Sequence, residues 1–154
     1  MVRLRRRPSR RASSELDGLV LAQFVGAINR PLSAYDLCER IGREGNPIAP
    51  AQVYRTLNRL VERGAVHRVE SLSAYVRSVH AIDIVSICAD CHRVTLDAAP
   101  EISDLVRGTA AANGFEVHHS VVEVFGHCTI CRSEEAKSDN GPDEGRPSPP
   151  TDQV

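Results

Sequence analysis

The chain has 154 residues, 42% of them hydrophobic and 25% charged, which is room for one ordinary domain or two small ones. No run of about 18 apolar residues occurs, so no membrane span is expected. The net charge of −1 hides an asymmetry: residues 1–83 carry 14 Lys+Arg against 8 Asp+Glu, and residues 84–154 carry 5 against 12. Only the first half therefore suits a polyanion.

Residues 1–12 include Arg3, Arg5, Arg6, Arg7, Arg10 and Arg11. A disordered basic arm is expected, either merely solvated or touching a DNA backbone or minor groove. Glu15 and Asp17 interrupt what could otherwise pass for a signal peptide, although an Arg-rich transit peptide has a similar composition. A helix is expected over 13–29, capped by Ser13 or Ser14, with Leu16, Leu19, Val20, Phe24, Ala27 and Ile28 on one face. A second, short helix should follow Ser33, with Asp36 completing a capping box and Leu37 and Ile41 facing inward. Cys38 reads as a small core residue. Pro50 opens a third helix, whose stripe of Val53, Leu57, Leu60 and Val61 should be buried, and Gly64 ends it. Residues 65–69 and 73–77 read as two short strands around a turn.

Three helices and a hairpin, in this order, are the plan of a winged helix-turn-helix, which places its third helix in the DNA major groove. Tyr54, Arg55 and Asn58 lie off the buried stripe and carry suitable chemistry. Arg can fork onto guanine or phosphate, Asn can read adenine, and Tyr can hold a phosphate or pack on a thymine methyl. A protein-interaction module of the same shape is the bland alternative. An RNA reader would want stacking aromatics, and aromatic content is only 4%,.

After a short hinge at 79–83, residues 84–87 and 93–96 should form a hairpin around Cys88-Ala-Asp-Cys91. A helix over 98–113 should present Ile102, Leu105, Val106 and Thr109. A third strand over 115–125 then leads to Cys128-Thr-Ile-Cys131. Two C-x-x-C turns, 36 residues apart, complete a tetrahedral zinc thiolate site, which is closed and therefore structural. Two disulfides or one redox-active pair are the alternatives. Zinc spacing and a lone Cys38 fit a reducing cytoplasm better than a secreted scaffold. An enzyme is not expected, because catalytic zinc needs an open position and no H-x-E precedes the cysteines. His92 and His127 adjoin a site that four thiolates already fill. The apolar face of the last helix and the free sheet edge suggest a dimer surface. The Pro-, Ser- and acid-rich residues 133–154 read as a disordered tail.

Ser33-Ala-Tyr-Asp-Leu37, Pro50-Ala-Gln-Val-Tyr-Arg-Thr-Leu57, His67-Arg-Val-Glu-Ser71 and the two C-x-x-C pairs, in this order, resemble the ferric-uptake-regulator (Fur) family. The His67–Ser71 stretch followed by Ala74-Tyr-Val76 is most similar to its zinc-uptake-regulator branch. The resemblance covers residues 14–132 and implies an α+β protein. A winged-helix DNA-binding domain (13–78) would be followed by a small α/β, zinc-stapled dimerisation domain (84–132). It implies a cytoplasmic, homodimeric, metal-dependent repressor of metal-homeostasis genes that binds a double-stranded DNA operator. By the same resemblance Tyr54 and Arg55 would contact DNA from the recognition helix, and Tyr35 would contact its backbone.

The family also holds a regulatory metal between its domains. Here the resemblance implies a set drawn from His67, Glu70, His80, Asp83 and His119. His118 and His119, on opposite faces of a strand, should not both reach one site. The match weakens where the zinc branch has a cysteine and this chain has Ser78. The His-rich segment before the first C-x-x-C is also short. The alternative is a regulator with an eroded sensing site that answers another metal or signal.

Overall fold

The computed structural model describes residues 12–27, 29–78 and 80–138. The basic arm, Ile28 and the end of the tail lie outside them. The fold is α+β, with three helices and a hairpin followed by a three-stranded sheet with two more helices.

Helix α1 (Ser13–Ala22) buries Leu16 and Val20. It is shorter than expected: after Ala22 the bonds tighten to an i→i−3 pattern, with Gln23, Phe24 and Val25 donating to Val20, Leu21 and Ala22,. Phe24 and Ala27 still reach the core from these turns. The cap position falls on Ala12, with no side-chain bond, so neither serine caps the helix. Helix α2 (Ala34–Arg43) has the expected start. The Ser33 hydroxyl accepts the Asp36 N–H at 3.1 Å, and the Asp36 carboxylate accepts the Ser33 N–H at 2.8 Å. The Ser33 hydroxyl also donates to that carboxylate at 2.6 Å, and this bond with the Ser33 N–H holds the Asp36 carboxyl below its usual range. Ser33→Ala should cost about 1 kcal/mol, read as a lower denaturation midpoint with an unchanged slope.

Helix α3 (Pro50–Glu62) buries Val53, Thr56, Leu57 and Leu60. Gly64, at φ +67°, turns the chain out of it,. Val61 was expected inside but is 36% exposed, because its side of the helix borders a cavity rather than α1 or α2. Asp17 on α1 is tied to α3 by Arg59 at 2.7 Å and Arg63 at 2.8 Å.

Strands β1 (Val66–Val69) and β2 (Ala74–Arg77) pair antiparallel, with His67 opposite Val76 and Arg68 opposite Tyr75. The backbones of Leu32 and Tyr75 exchange bonds of 2.8 and 2.9 Å, closing the hairpin onto the helices. Val66 and Tyr75 belong to the helical core, while Val69 and Val76 pack with Val85, Ile87 and Val94. The two faces of this wing thus serve two different cores, as strand alternation requires.

The second sheet has the order β4–β3–β5. β3 (Ile84–Cys88) and β4 (Val94–Asp97) form the expected hairpin. α4 (Pro100–Ala112) follows and buries no residue, and Gly114 at φ +80° ends it. The expected strand over 115–125 is reduced to β5 (Glu123–Gly126), which pairs parallel with β3. Residues 115–122 are rich in β-branched side chains but have no ladder, apart from the Val122 carbonyl, which accepts the Val85 N–H at 3.0 Å. His118 and His119 are therefore not on a strand. Helix α5 (Thr129–Ser138) runs into the segment expected to be disordered. No helix among the described residues is long and apolar enough to cross a membrane.

Candidate metal centre and nucleic-acid interface

The cysteine quartet is assembled by the second sheet. The β3–β4 turn carries Cys88 and Cys91. It is closed by Cys88 N–H to the Arg93 carbonyl (2.9 Å) and His92 N–H to the Cys88 carbonyl (3.0 Å), with His92 at φ +55°. The parallel ladder sets Cys88 opposite Gly126, and Ala89 N–H reaches the Gly126 carbonyl at 2.8 Å. That register delivers Cys128 beside the first turn. The four sulfurs lie within 4.8 Å of one another, and Cys91 and Cys128 are 3.9 Å apart. Four sulfurs about 2.3 Å from one zinc stand about 3.8 Å apart, so the cage has the right size.

None of the described cysteines is in a disulfide. Backbone N–H groups of Cys91 and Cys128 hold the Cys88 thiol down at about 6, while bonds with Cys128 push Cys131 strongly up. In the bare cage, then, the first thiolate suppresses the next, and a dication is what lets all four ionise. Backbone N–H groups also approach sulfur, Cys128 N–H on Cys88 at 3.4 Å and Cys131 N–H on Cys128 at 3.5 Å. His127 is not part of that four-atom group, and its Nδ1 is bonded to Asp90 at 2.8 Å.

The other ligand types surround a cavity of about 330 Å³ between the wing and the second sheet. His67, Glu70, Asp83 and His119 line it, with Asn58 and Glu62 of α3 on one wall. They are not drawn together as the cysteines are: among the described residues, no other group of three such atoms closes to 4.8 Å. Burial lowers the His67 pKa, against the pull of the Glu123 and Glu70 carboxylates, so its ring is neutral near pH 7 and free to accept a metal,.

Asp83 has a second engagement. Its two oxygens accept the Ala99 N–H (2.9 Å) and the Ser103 hydroxyl (2.6 Å), capping α4 from outside and lowering the Asp83 pKa. His80 is exposed and does not line the cavity, and its carbonyl accepts the buried Ser78 hydroxyl at 3.0 Å.

Glu123 was not among the expected residues. Its carboxylate accepts the N–H of Glu70 at 2.6 Å and of Ser71 at 3.0 Å. Burial raises the Glu123 pKa, but bonds from the Ser71 hydroxyl and these two N–H groups outweigh it, leaving the carboxyl below its usual range. One signal stood in the sequence: a lone carboxylate within Val121-Val-Glu-Val124.

Tyr54, Arg55 and Asn58 are exposed on α3, and Tyr35 is 69% exposed on the first turn of α2. Tyr54 and Arg55 lie on the N-terminal half of α3, whereas Asn58 lies at the cavity rim.

The profile of the Ferric uptake regulator family matches residues 19–125. The zinc uptake regulation protein of Escherichia coli K12 is 39% identical over 112 residues. That match covers 68% of this chain but only 64% of the relative's length. The ferric uptake regulation protein of the same organism is 32% identical over 113 residues, covering 70% of this chain and 76% of the relative. Among solved structures, a zinc uptake regulator complexed with zinc and DNA superposes with a TM-score of 0.72 at 30% identity, over 86% of this chain and 87% of the other. Holo XcZur gives 0.67 at 29% identity, over 86% and 89%.

Proposed function

Since this chain belongs to the ferric uptake regulator family, we propose that it is a metal-dependent, DNA-binding transcriptional repressor that responds to zinc. The observation that carries the zinc-responsive reading is the two-sided cavity. His67 and Glu70 approach it from the wing, and Asp83 and His119 from the other side. Ligands contributed by two bodies reach one ion in one relative orientation, so the ion selects that orientation. A bound zinc supplies the shared charge. The wing residues then set how α3 stands relative to the second sheet.

Cys88, Cys91, Cys128 and Cys131 would hold a separate, structural zinc. Four thiolates leave that ion no vacancy, so its part is to fasten the second sheet. Leu105, Phe115, Val121, Val124, Phe125 and Ile130 are exposed large apolar side chains of the second half, and a homodimer would cover them. Two copies of α3 would then meet successive half-sites of double-stranded DNA. A zinc thiolate site of this spacing suits a reducing cytoplasm. The proteins this chain resembles are regulators, and nothing in a closed thiolate cage calls for enzymatic turnover.

The test is operator binding across a buffered zinc series. Affinity is expected to rise about 5- to 150-fold between the metal-free cavity and saturation, the general range of an allosteric coupling of about 1–3 kcal/mol. Affinity that does not change with zinc refutes the sensing role. One specific observation favours a second reading, in which the sensing site is eroded: Ser78 is buried and its hydroxyl is already spent on His80's backbone. Zinc content separates the two, with about two ions per chain for the sensor and about one for the eroded form.

A further inference from the structure

Glu123 has no part in the functions described so far, yet it makes the longest-range side-chain bonds in the region. It stands on β5, opposite Val85 in the parallel ladder, and Val122 just before it accepts the Val85 N–H. Its backbone is therefore a fixed post on the second sheet. Its carboxylate projects to the wing turn, where each oxygen takes one of two successive N–H groups, Glu70 at 2.6 Å and Ser71 at 3.0 Å. Two successive N–H groups converging on one anion form a small nest, and the ionised acceptor makes both bonds strong. The turn held in this way carries Glu70 itself and directly follows β1, which carries His67. His119 lies four residues before Glu123 on the opposite side of the same cavity.

We propose that Glu123 is a positioning residue: it clasps the wing turn by its backbone and so sets His67 and Glu70 against His119 before any metal enters the cavity. This rests on the reading of that cavity as the sensing site. The clasp binds main chain, so it occupies neither the His67 ring nor the Glu70 carboxylate, which pairs with Arg68 at 3.0 Å. A bond to backbone N–H groups needs no zinc to form, which separates this role from a ligand's. With the turn already held, an entering ion orders less of the chain, and its apparent affinity is higher by the amount of ordering already done.

The test uses the full-length protein with its thiolate zinc retained and the cavity stripped by mild chelation. Amide exchange at Glu70 and Ser71 is followed by NMR. Slow exchange is expected in the wild type and exchange at least about tenfold faster in Glu123→Ala, from the loss of two charge-assisted bonds. Glu123→Gln, which keeps one acceptor oxygen, should fall between them. Affinity for the second zinc should drop about tenfold in Glu123→Ala. Retained thiolate zinc and unchanged exchange along β3 show that the variant is folded. Unchanged exchange at 70 and 71 in the stripped Glu123→Ala protein overturns the clasp, even if zinc affinity falls, since Glu123 would then act as a ligand only. Faster exchange with no second zinc on the wild type upholds the clasp and overturns the sensing reading.

Discussion

Cys88→Ser is expected to empty the thiolate cage and dissolve the second sheet. A structural zinc contributes about 10–16 kcal/mol of apparent binding energy to small metal-dependent folds. The segment it holds has little else: five residues form its buried cluster, two of them lent by the wing, and α4 buries none. A unit of about 50 residues is marginal without such help. The β3–β5 ladder ends at Cys88 and Gly126, so the metal and the last rung of the sheet fail together. Zinc held by the thiolate cage should fall from about one ion per chain to near zero. Limited proteolysis should open sites within residues 84–132, and gel filtration should lose the dimer. A Cys88→Ser protein that keeps a protected second half without zinc would sink the structural assignment. Cys38→Ser should leave zinc content untouched, because Cys38 packs against the helical core, where burial raises its thiol pKa.

Arg55→Ala is expected to weaken operator binding by about tenfold to a hundredfold, the range for one bidentate base contact of roughly 1–3 kcal/mol. Among the described residues its guanidinium makes no hydrogen bond or ion pair, so its removal should cost the fold little. Arg59, one turn later on the same helix, is the contrast. It is bound to Asp17 and to the Thr56 hydroxyl, so Arg59→Ala should lower stability before it touches DNA. Fluorescence anisotropy at saturating zinc reads the first, and denaturant unfolding reads the second. Should Arg55 hold a phosphate instead of a base, the loss would be uniform across sequences and the salt slope would drop by about one. Arg55→Ala binding with wild-type affinity removes α3 from the interface.

Local chemistry was legible in the sequence, and long-range chemistry much less so. Ser33 with Asp36, Pro50 with Gly64 and the paired cysteines announce themselves because the partners are a few residues apart or repeat a known spacing. The residues after 114 misled because β-branched composition speaks to propensity, while a strand also needs a neighbour to pair with, and only Glu123–Gly126 has one,. Val61 sits correctly on the helical stripe, but the stripe does not say where the helix's packing partners end. Glu123 could not be paired from sequence at all. Its partners are backbone N–H groups 52 and 53 residues away, and every residue but proline offers that group.

The wing has a mechanical consequence of its own. Val66 and Tyr75 press on the helices, and Val69 and Val76 press on the second sheet. The hairpin is a wall between two rooms, and both rooms lean on it. A boundary drawn along the chain at residues 79–83 therefore does not separate the two cores, since Val69 and Val76 precede it and pack with Val85, Ile87 and Val94. The contact between the two rooms runs across the face of a four-residue ladder that the chain completes before it reaches that segment. Packing thus links the second sheet to the helices across two thin strands, a route separate from the connecting peptide.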